Sequence, residues 1–223
     1  MNPIAHHRLQ SLAVAIDAGL RAKPAHRTCA FRIFAGLSAL GLALGYPANV
    51  AFADNTYIVT TAGDPGPPGT LSLRQAVELA NASVGNTVKF DQSLAGSTIT
   101  LADGEIEITQ TQTEILGPGA NLLTISGNDK SRIFNISGGS YLNPILVSDL
   151  TLAHGYAPDV EGGAVKVTGR LVLWNSVVSD STASRGGGLS VVGGILQMNY
   201  STIRGNAATA YGGGVYSYYN SDL

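Results

Sequence analysis

A short glycine motif recurs three times in the C-terminal half of this 223-residue chain. Gly-Gly-Ala or Gly-Gly-Gly is followed each time by an apolar residue, at 162–165, 186–189 and 212–215. A second recurring segment precedes each motif, at 151–153, 177–179 and 202–204. Both segments recur about every 25 residues, whereas a β-sandwich would not repeat strands and glycines together at one period. The shared period predicts a parallel β-helix in which each repeat forms one coil.

Stacked coils place equivalent residues in ladders about 4.8 Å apart along the axis. The residues expected to stack inward are Val165, Leu189 and Val215 in one ladder, and Leu152, Val178 and Ile203 in the other. Lys166, Ser190 and Tyr216 are expected to point outward. The glycines are expected at sharp corners, where a Cβ would meet the next coil. These structural corners are Gly162, Gly163, Gly186, Gly187, Gly188, Gly212, Gly213 and Gly214.

One helix is predicted ahead of these coils, from Ser72 to Asn81. Ser72 and Gln75 have the spacing of a capping box, and an apolar stripe follows them. We expect this helix to cap the open end of the apolar column. From Val88 onward, short β-rich runs alternate with turn-forming residues. The expected fold is all-β, a right-handed parallel β-helix of about 25 residues per coil with one N-terminal capping α-helix.

The first 53 residues have the pattern of a secretory signal peptide. Five basic residues stand against a single acid, an apolar run follows at 33–44, and Ala51-Phe52-Ala53 provides a small-x-small cleavage site. The apolar run is shorter than the 20 or so residues that a membrane span needs. We therefore predict three regions: a signal peptide with an extended basic n-region at 1–53, an N-terminal strand, Gly/Pro loop and capping helix at 54–87, and the β-helix at 88–223.

Composition excludes several classes of protein. Only 13% of the residues are charged and the formal net charge is −2, so the chain lacks the basic excess of a nucleic-acid-binding protein. Its one cysteine, Cys29, lies in the predicted signal peptide and cannot form an internal disulfide framework. The mature protein is expected to be exported to the extracellular space or the outer surface of a bacterium, with no transmembrane segment.

The repeats also carry a family resemblance. Asn- and Ser-rich strands accompany the glycine corners, among them Trp174–Ser176 and Met198–Ser201, and Asn206 precedes the third corner. The segment at 70–76 has the sequence TLSLRQA. With these motifs the chain resembles exported bacterial right-handed β-helix proteins related to the chlamydial polymorphic outer membrane proteins, whose passengers often open with SLR-[EQ]-A. The resemblance covers nearly all of residues 54–223. It implies the fold and export, and it names no ligand.

No catalytic, cofactor-binding or metal-binding residue is predicted. His154, the single histidine after residue 53, is interpreted as a solvated turn residue rather than a general base. Asp159 and Arg185 are 26 positions apart, so we expect them to pair across adjacent coils as a surface ion pair. The chain shows neither a column of carboxylates nor the GGxGxD calcium repeat.

Aromatic residues are the candidate contact sites for a partner protein or glycan. They are Trp174, Tyr200, Tyr211, Tyr216, Tyr218 and Tyr219. Trp174 and Tyr200 are 26 positions apart and are expected to stack. An alternative is that these side chains only fill corners along the ladders.

Three functions remain open from the sequence. The first is a non-catalytic exported or cell-surface scaffold for adhesion, which contacts a host, matrix or cell-wall protein or polysaccharide. The second is a carbohydrate-active enzyme on the same fold, and the third is a structural stalk. Because the chain stops partway through a coil, we expect it to be a fragment or an early-terminated copy of a longer passenger.

Overall fold

The structure, a computed structural model, describes residues 55–219. They form a parallel β-solenoid of about five turns, with about 26 residues per turn and very little helix. This confirms the predicted parallel β-helix. The predicted signal peptide at 1–53 and the final residues 220–223 lie outside the described residues.

Within residues 55–219, nineteen strands form four parallel sheets that run along the solenoid axis. In chain order the strands are β1 Thr56–Val59, β2 Thr87–Phe90, β3 Ser97–Thr100, β4 Ile106–Ile108, β5 Glu114–Leu116, β6 Leu123–Ser126, β7 Phe134–Ile136, β8 Ile145–Ser148, β9 Thr151–Ala153, β10 Tyr156–Glu161, β11 Val165–Val167, β12 Arg170–Trp174, β13 Val177–Ser179, β14 Thr182–Arg185, β15 Leu189–Val192, β16 Ile195–Asn199, β17 Thr202–Arg204, β18 Ala207–Tyr211 and β19 Val215–Tyr218. Sheet A has the order β1-β2-β5-β8-β12-β16, sheet B β3-β6-β9-β13-β17, sheet C β4-β7-β11-β15-β19 and sheet D β10-β14-β18.

The chain passes through sheets A, B, D and C in each of the last three coils. The register confirms the predicted inward ladders: Val165 pairs with Leu189, which pairs with Val215. The second ladder joins Leu152, Val178 and Ile203 in the same way. The side chains of β11 show the expected alternation, because its two valines are buried while Lys166 between them is half-buried. Each fully buried Ile, Leu or Val contributes roughly 1.5–3 kcal/mol through burial of its apolar surface.

The glycine corners need glycine for two separate reasons. Gly162, Gly186 and Gly212 have φ angles of +75°, +62° and +64°, which other residue types rarely adopt. Gly163 lies against the next coil, since a Cβ there would come within 2.1 Å of the carbonyl oxygen of Gly187. The prediction that a corner side chain would meet the adjacent coil is therefore confirmed at this position.

Polar side chains connect the coils at the carboxyl ends of the sheet B strands. Ser181 Oγ donates to Ser179 O at 2.9 Å and accepts the N–H of Gly155, 3.0 Å away on the preceding coil. One coil later, Asn206 Oδ1 accepts the N–H of Ser181 at 3.0 Å. These side chains satisfy backbone groups at corners, where the sheet hydrogen bonds are interrupted.

The predicted helix is present as α1, Leu73–Ala80, and it carries both capping-box hydrogen bonds. Ser72 is the N-cap and Asn81 the C-cap. The buried side chains of α1 belong to the predicted apolar stripe, and the helix packs against β1, β2 and β4. A short 3₁₀ helix, Gln92–Leu94, follows β2.

Candidate aromatic binding face

Four tyrosines come together on the last described coil, and we call them the tyrosine cluster: Tyr211, Tyr216, Tyr218 and Tyr219. Tyr216 and Tyr218 are alternate residues of β19, so both side chains project from the outer face of sheet C. Tyr211 ends β18, the edge strand of sheet D, and Tyr219 directly follows β19. The fold therefore gathers residues from two sheets and a corner on one side of the solenoid.

The rings of the cluster form a row. The Tyr216 centroid is 6.4 Å from that of Tyr211 and 6.1 Å from that of Tyr218, and the planes differ by only 22° and 19°. Tyr219 lies edge-on to Tyr218 at 4.1 Å. Tyr211, Tyr218 and Tyr219 are 63%, 50% and 69% exposed. Tyr216, the middle ring, is half-buried and stacks with Tyr211 on one side and Tyr218 on the other. The aromatic surface open to solvent therefore comes mainly from Tyr211, Tyr218 and Tyr219.

Neighbouring groups affect the acidity of Tyr218. A hydrogen bond with the side chain of Tyr219 raises the pKa of Tyr218 above its ordinary value, and the positive charge of Arg185 opposes that rise. The phenol stays neutral near neutral pH and can both donate and accept hydrogen bonds.

Charged groups lie directly beside the row. Arg185 is the strand partner of Tyr211, and its guanidinium carbon is 5.8 Å from the ring centroid of Tyr216. Glu161 Oε1 lies 3.3 Å from Arg185 Nη1, and its Oε2 lies 3.8 Å from Lys166 Nζ. Two cations therefore share one carboxylate, so these three side chains together carry one net positive charge.

The expected ion pair of Arg185 with Asp159 is wrong, because Arg185 pairs with Glu161. The register of β10 against β14 shifts between Ala157 and Glu161, which brings Glu161 opposite Arg185. Counting 26 residues back from Arg185 cannot anticipate such an irregularity.

The outward ladder on sheet C has the expected members, with one difference in exposure. Lys166, Ser190 and Tyr216 are strand partners, as predicted. Ser190 nevertheless has no exposed surface, and its buried Oγ has no hydrogen-bond partner among the described protein groups. The larger side chains on either side in the ladder account for its burial.

Trp174 and Tyr200 lie at a different place, where sheet A turns into sheet B. Their rings are in contact, with centroids 5.0 Å apart and planes at 66°, so the contact is edge-to-face. They are not ladder partners: Trp174 pairs with Asn199, and Tyr200 follows at a left-handed corner that Asn175 occupies one coil earlier. The tyrosine cluster is at the opposite end of the sheet A strands, so the six predicted aromatic residues form two separate groups.

One further exposed aromatic residue, Tyr141, lies outside the six predicted from the sequence. Tyr141 is 76% exposed and its neighbour Leu142 is 80% exposed, in a loop between β7 and β8. The guanidinium of Arg170 lies 4.6 Å from the Tyr141 ring centroid. The sequence does contain a signal for this loop, because the loop makes its coil longer than the repeat period of about 25 residues.

His154 is exposed in a turn, as interpreted, with a φ of +55°. Its Nδ1 lies 3.5 Å from Asp129 Oδ1, and both side chains are mostly exposed. The corresponding corners of later coils, Asp180 and Gly205, are also left-handed. Between residues 55 and 219, no group of three or more His, Cys, Asp or Glu side chains could hold a metal ion.

Comparison with protein-family models, with curated proteins and with solved structures finds no match to this chain. In the part of the chain that the structure describes, no helix has the length and apolar character needed to cross a membrane.

Proposed function

We propose that this protein is an exported, non-catalytic β-helix scaffold that binds a host, matrix or cell-wall partner through the tyrosine cluster. The observation that carries the proposal is the row formed by Tyr211, Tyr216 and Tyr218 on the outer face of the solenoid. Exposed tyrosines offer an apolar ring and a polar hydroxyl to the same partner, and tyrosine is enriched among residues that dominate binding energy.

The scaffold holds these rings in place before a partner arrives. Tyr216 pairs with Ser190 and Tyr218 with Val192 in the parallel ladder of sheet C. A tyrosine side chain has only two rotatable χ angles, so ordering it on binding costs little conformational entropy. The chemistry available at this face is ring stacking, hydrogen bonding by phenols and charge pairing by Arg185 and Lys166.

Export is proposed from the sequence pattern at 1–53, with cleavage after Ala53. The full chain should be expressed in a bacterium and the product outside the cytoplasm analysed by N-terminal sequencing. We expect the exported product to begin at Asp54. Retention of the intact chain in the cytoplasm would overturn this part of the proposal.

Binding is tested on the exported product of the full chain with arrays of matrix proteins and of wall and matrix polysaccharides. The variant Tyr216→Ser/Tyr218→Val replaces two cluster rings by the residues that occupy the same ladder positions one coil earlier, so the fold is expected to tolerate it. We expect binding to fall at least about tenfold. Tyr200→Asn is the matched control, since Asn175 adopts the same left-handed corner.

Equal loss of binding in Tyr200→Asn and in the cluster variant would assign the contact elsewhere. Depolymerisation of a bound polysaccharide would show that the protein is an enzyme and not a non-catalytic scaffold. Absence of binding to every array member would favour the structural stalk.

A further inference from the structure

The charged side chains beside the tyrosine cluster favour a negatively charged ligand. Arg185 and Lys166 both pair with Glu161, so the three side chains together carry one net positive charge. The side chain of Arg185 is 43% exposed and that of Lys166 is 29% exposed. Both cations are therefore partly accessible from solvent.

The cations and the aromatic rings lie in ladders that run along the solenoid axis. Lys166, Ser190 and Tyr216 occupy one ladder on three successive coils, and Arg185 is the strand partner of Tyr211. The positive charge of Arg185 is also felt at the hydroxyl of Tyr218. The surface thus combines an aromatic row with a cationic flank over adjacent coils.

A linear polysaccharide with acidic groups fits this combination of aromatic rings and cations. The apolar face of a pyranose ring packs on an aromatic ring, and sugar hydroxyls exchange hydrogen bonds with phenols. The centre of a protein–protein interface is generally depleted of Lys and Glu, whereas Lys166 and Glu161 lie close beside this row. A carboxylate on the sugar would meet the guanidinium of Arg185, a geometry that gives strong charge-assisted hydrogen bonds.

We propose that the tyrosine cluster binds an acidic polysaccharide, with sugar rings against the exposed rings of Tyr211, Tyr218 and Tyr219, which Tyr216 supports from within the row, and with sugar carboxylates at Arg185 and Lys166. This inference rests on the proposed binding function and specifies its ligand. Glu161 then acts as a built-in competitor, because its carboxylate occupies the cations that the ligand needs.

The test compares polygalacturonate, alginate and hyaluronate with their carboxyl-reduced forms, which keep the sugar backbone and replace each carboxylate by a hydroxymethyl group. Affinity is measured by calorimetry on the exported product of the full chain. We expect at least one acidic polymer to bind about tenfold or more tightly than its reduced form. We also expect the affinity to weaken as NaCl is raised from 50 to 500 mM, since salt screens exposed charges.

Three single variants and one control variant distinguish the contribution of charge from that of ring stacking. Arg185→Gln should weaken binding of the acidic polymer about tenfold and leave the reduced polymer unaffected. Glu161→Gln should tighten binding of the acidic polymer about threefold, because it releases both cations. Tyr216→Ser should weaken both polymers, and Tyr200→Asn should change neither.

Equal affinity for the acidic and the reduced polymers would contradict the proposal that the ligand is acidic. The proposed function, binding through the tyrosine cluster, would still stand. Weaker binding in Glu161→Gln would likewise contradict the role of Glu161 as competitor. If no polysaccharide binds but a matrix protein does in a Tyr216-dependent way, the ligand class is wrong and the proposed function stands. If nothing binds at the cluster, both are wrong.

Discussion

Arg132 donates its Nε–H to the carbonyl oxygen of Gly162, 2.7 Å away on the next coil. Its Nη2 donates to Glu161 O at 2.7 Å, and its Nη1 pairs with Glu105 on the preceding coil. The Arg132 side chain is only 8% exposed, so one guanidinium joins three coils inside the wall of the solenoid.

Replacement of this guanidinium should destabilise the fold. Arg132→Met leaves one buried and one partly buried carbonyl oxygen without their charged donor, and we expect a loss of about 3 kcal/mol in the free energy of unfolding. The measurement is urea unfolding followed by circular dichroism. Arg204→Met is the matched control, because Arg204 is exposed and its loss should change stability by less than about 0.5 kcal/mol. Equal effects of the two variants would show that Arg132 does not link the coils.

Two equivalent corner glycines should differ in their tolerance of alanine. A Cβ at Gly187 would lie 2.0 Å from the carbonyl oxygen of Ala207, whereas the nearest atom to a Cβ at Gly213 is 3.0 Å away. Gly187→Ala must therefore displace backbone of the next coil, and we expect it to cost about 3 kcal/mol or more. Gly213→Ala should cost about 1 kcal/mol or less. Similar unfolding free energies for the two variants would mean that the stacked corner is not close-packed.

Asp64 should make stability depend on pH. Burial of its side chain raises its pKa, but the hydrogen bonds from Arg74 and from the N–H of Ala102 outweigh burial and hold the pKa below its ordinary value. A depressed pKa in the folded state stabilises the protein above the unfolded value of about 3.9, and this stabilisation is lost as pH falls through the folded pKa. Asp64→Asn should therefore be less stable than wild type at pH 7, and the difference should shrink toward pH 2.

The pH series is measured as urea midpoints between pH 2 and pH 7. Asp159→Asn is a suitable control because Asp159 is exposed, and its replacement should change the free energy of unfolding at pH 7 by less than about 0.5 kcal/mol. A difference between wild type and Asp64→Asn that stays constant with pH would contradict the role given to the Asp64 carboxylate.

The sequence was most informative where one position recurs in every coil. The ladder of Val165, Leu189 and Val215 was predictable because glycine corners fix the phase of each repeat and apolar residues follow them. Helix α1 was predictable because the capping box is local. Neither inference required knowledge of a contact between distant segments.

Features that depend on register or on irregular segments were not predictable. Sheet D was missed because β10 contains Pro and Asp and lacks a period-two apolar pattern. The shift within β10 also gave Arg185 a different partner. The sequence identified the tyrosines of the aromatic face. It did not show that they lie apart from Trp174 and Tyr200, because that separation depends on where the chain turns from one sheet to the next.

Ser181 offers a final test of how the corners are held. Its Oγ is buried and accepts the N–H of Gly155 at 3.0 Å, so Ser181→Ala leaves a backbone donor without an acceptor. We expect a loss of about 1–2 kcal/mol in the free energy of unfolding, and faster hydrogen exchange at the amide of Gly155. Ser140→Ala is the matched control, because Ser140 Oγ accepts the N–H of Asn143 at 3.2 Å in an exposed turn where water can replace it. If both variants cost the same, or if the Gly155 amide exchanges at its wild-type rate, the buried serine does not secure the corner.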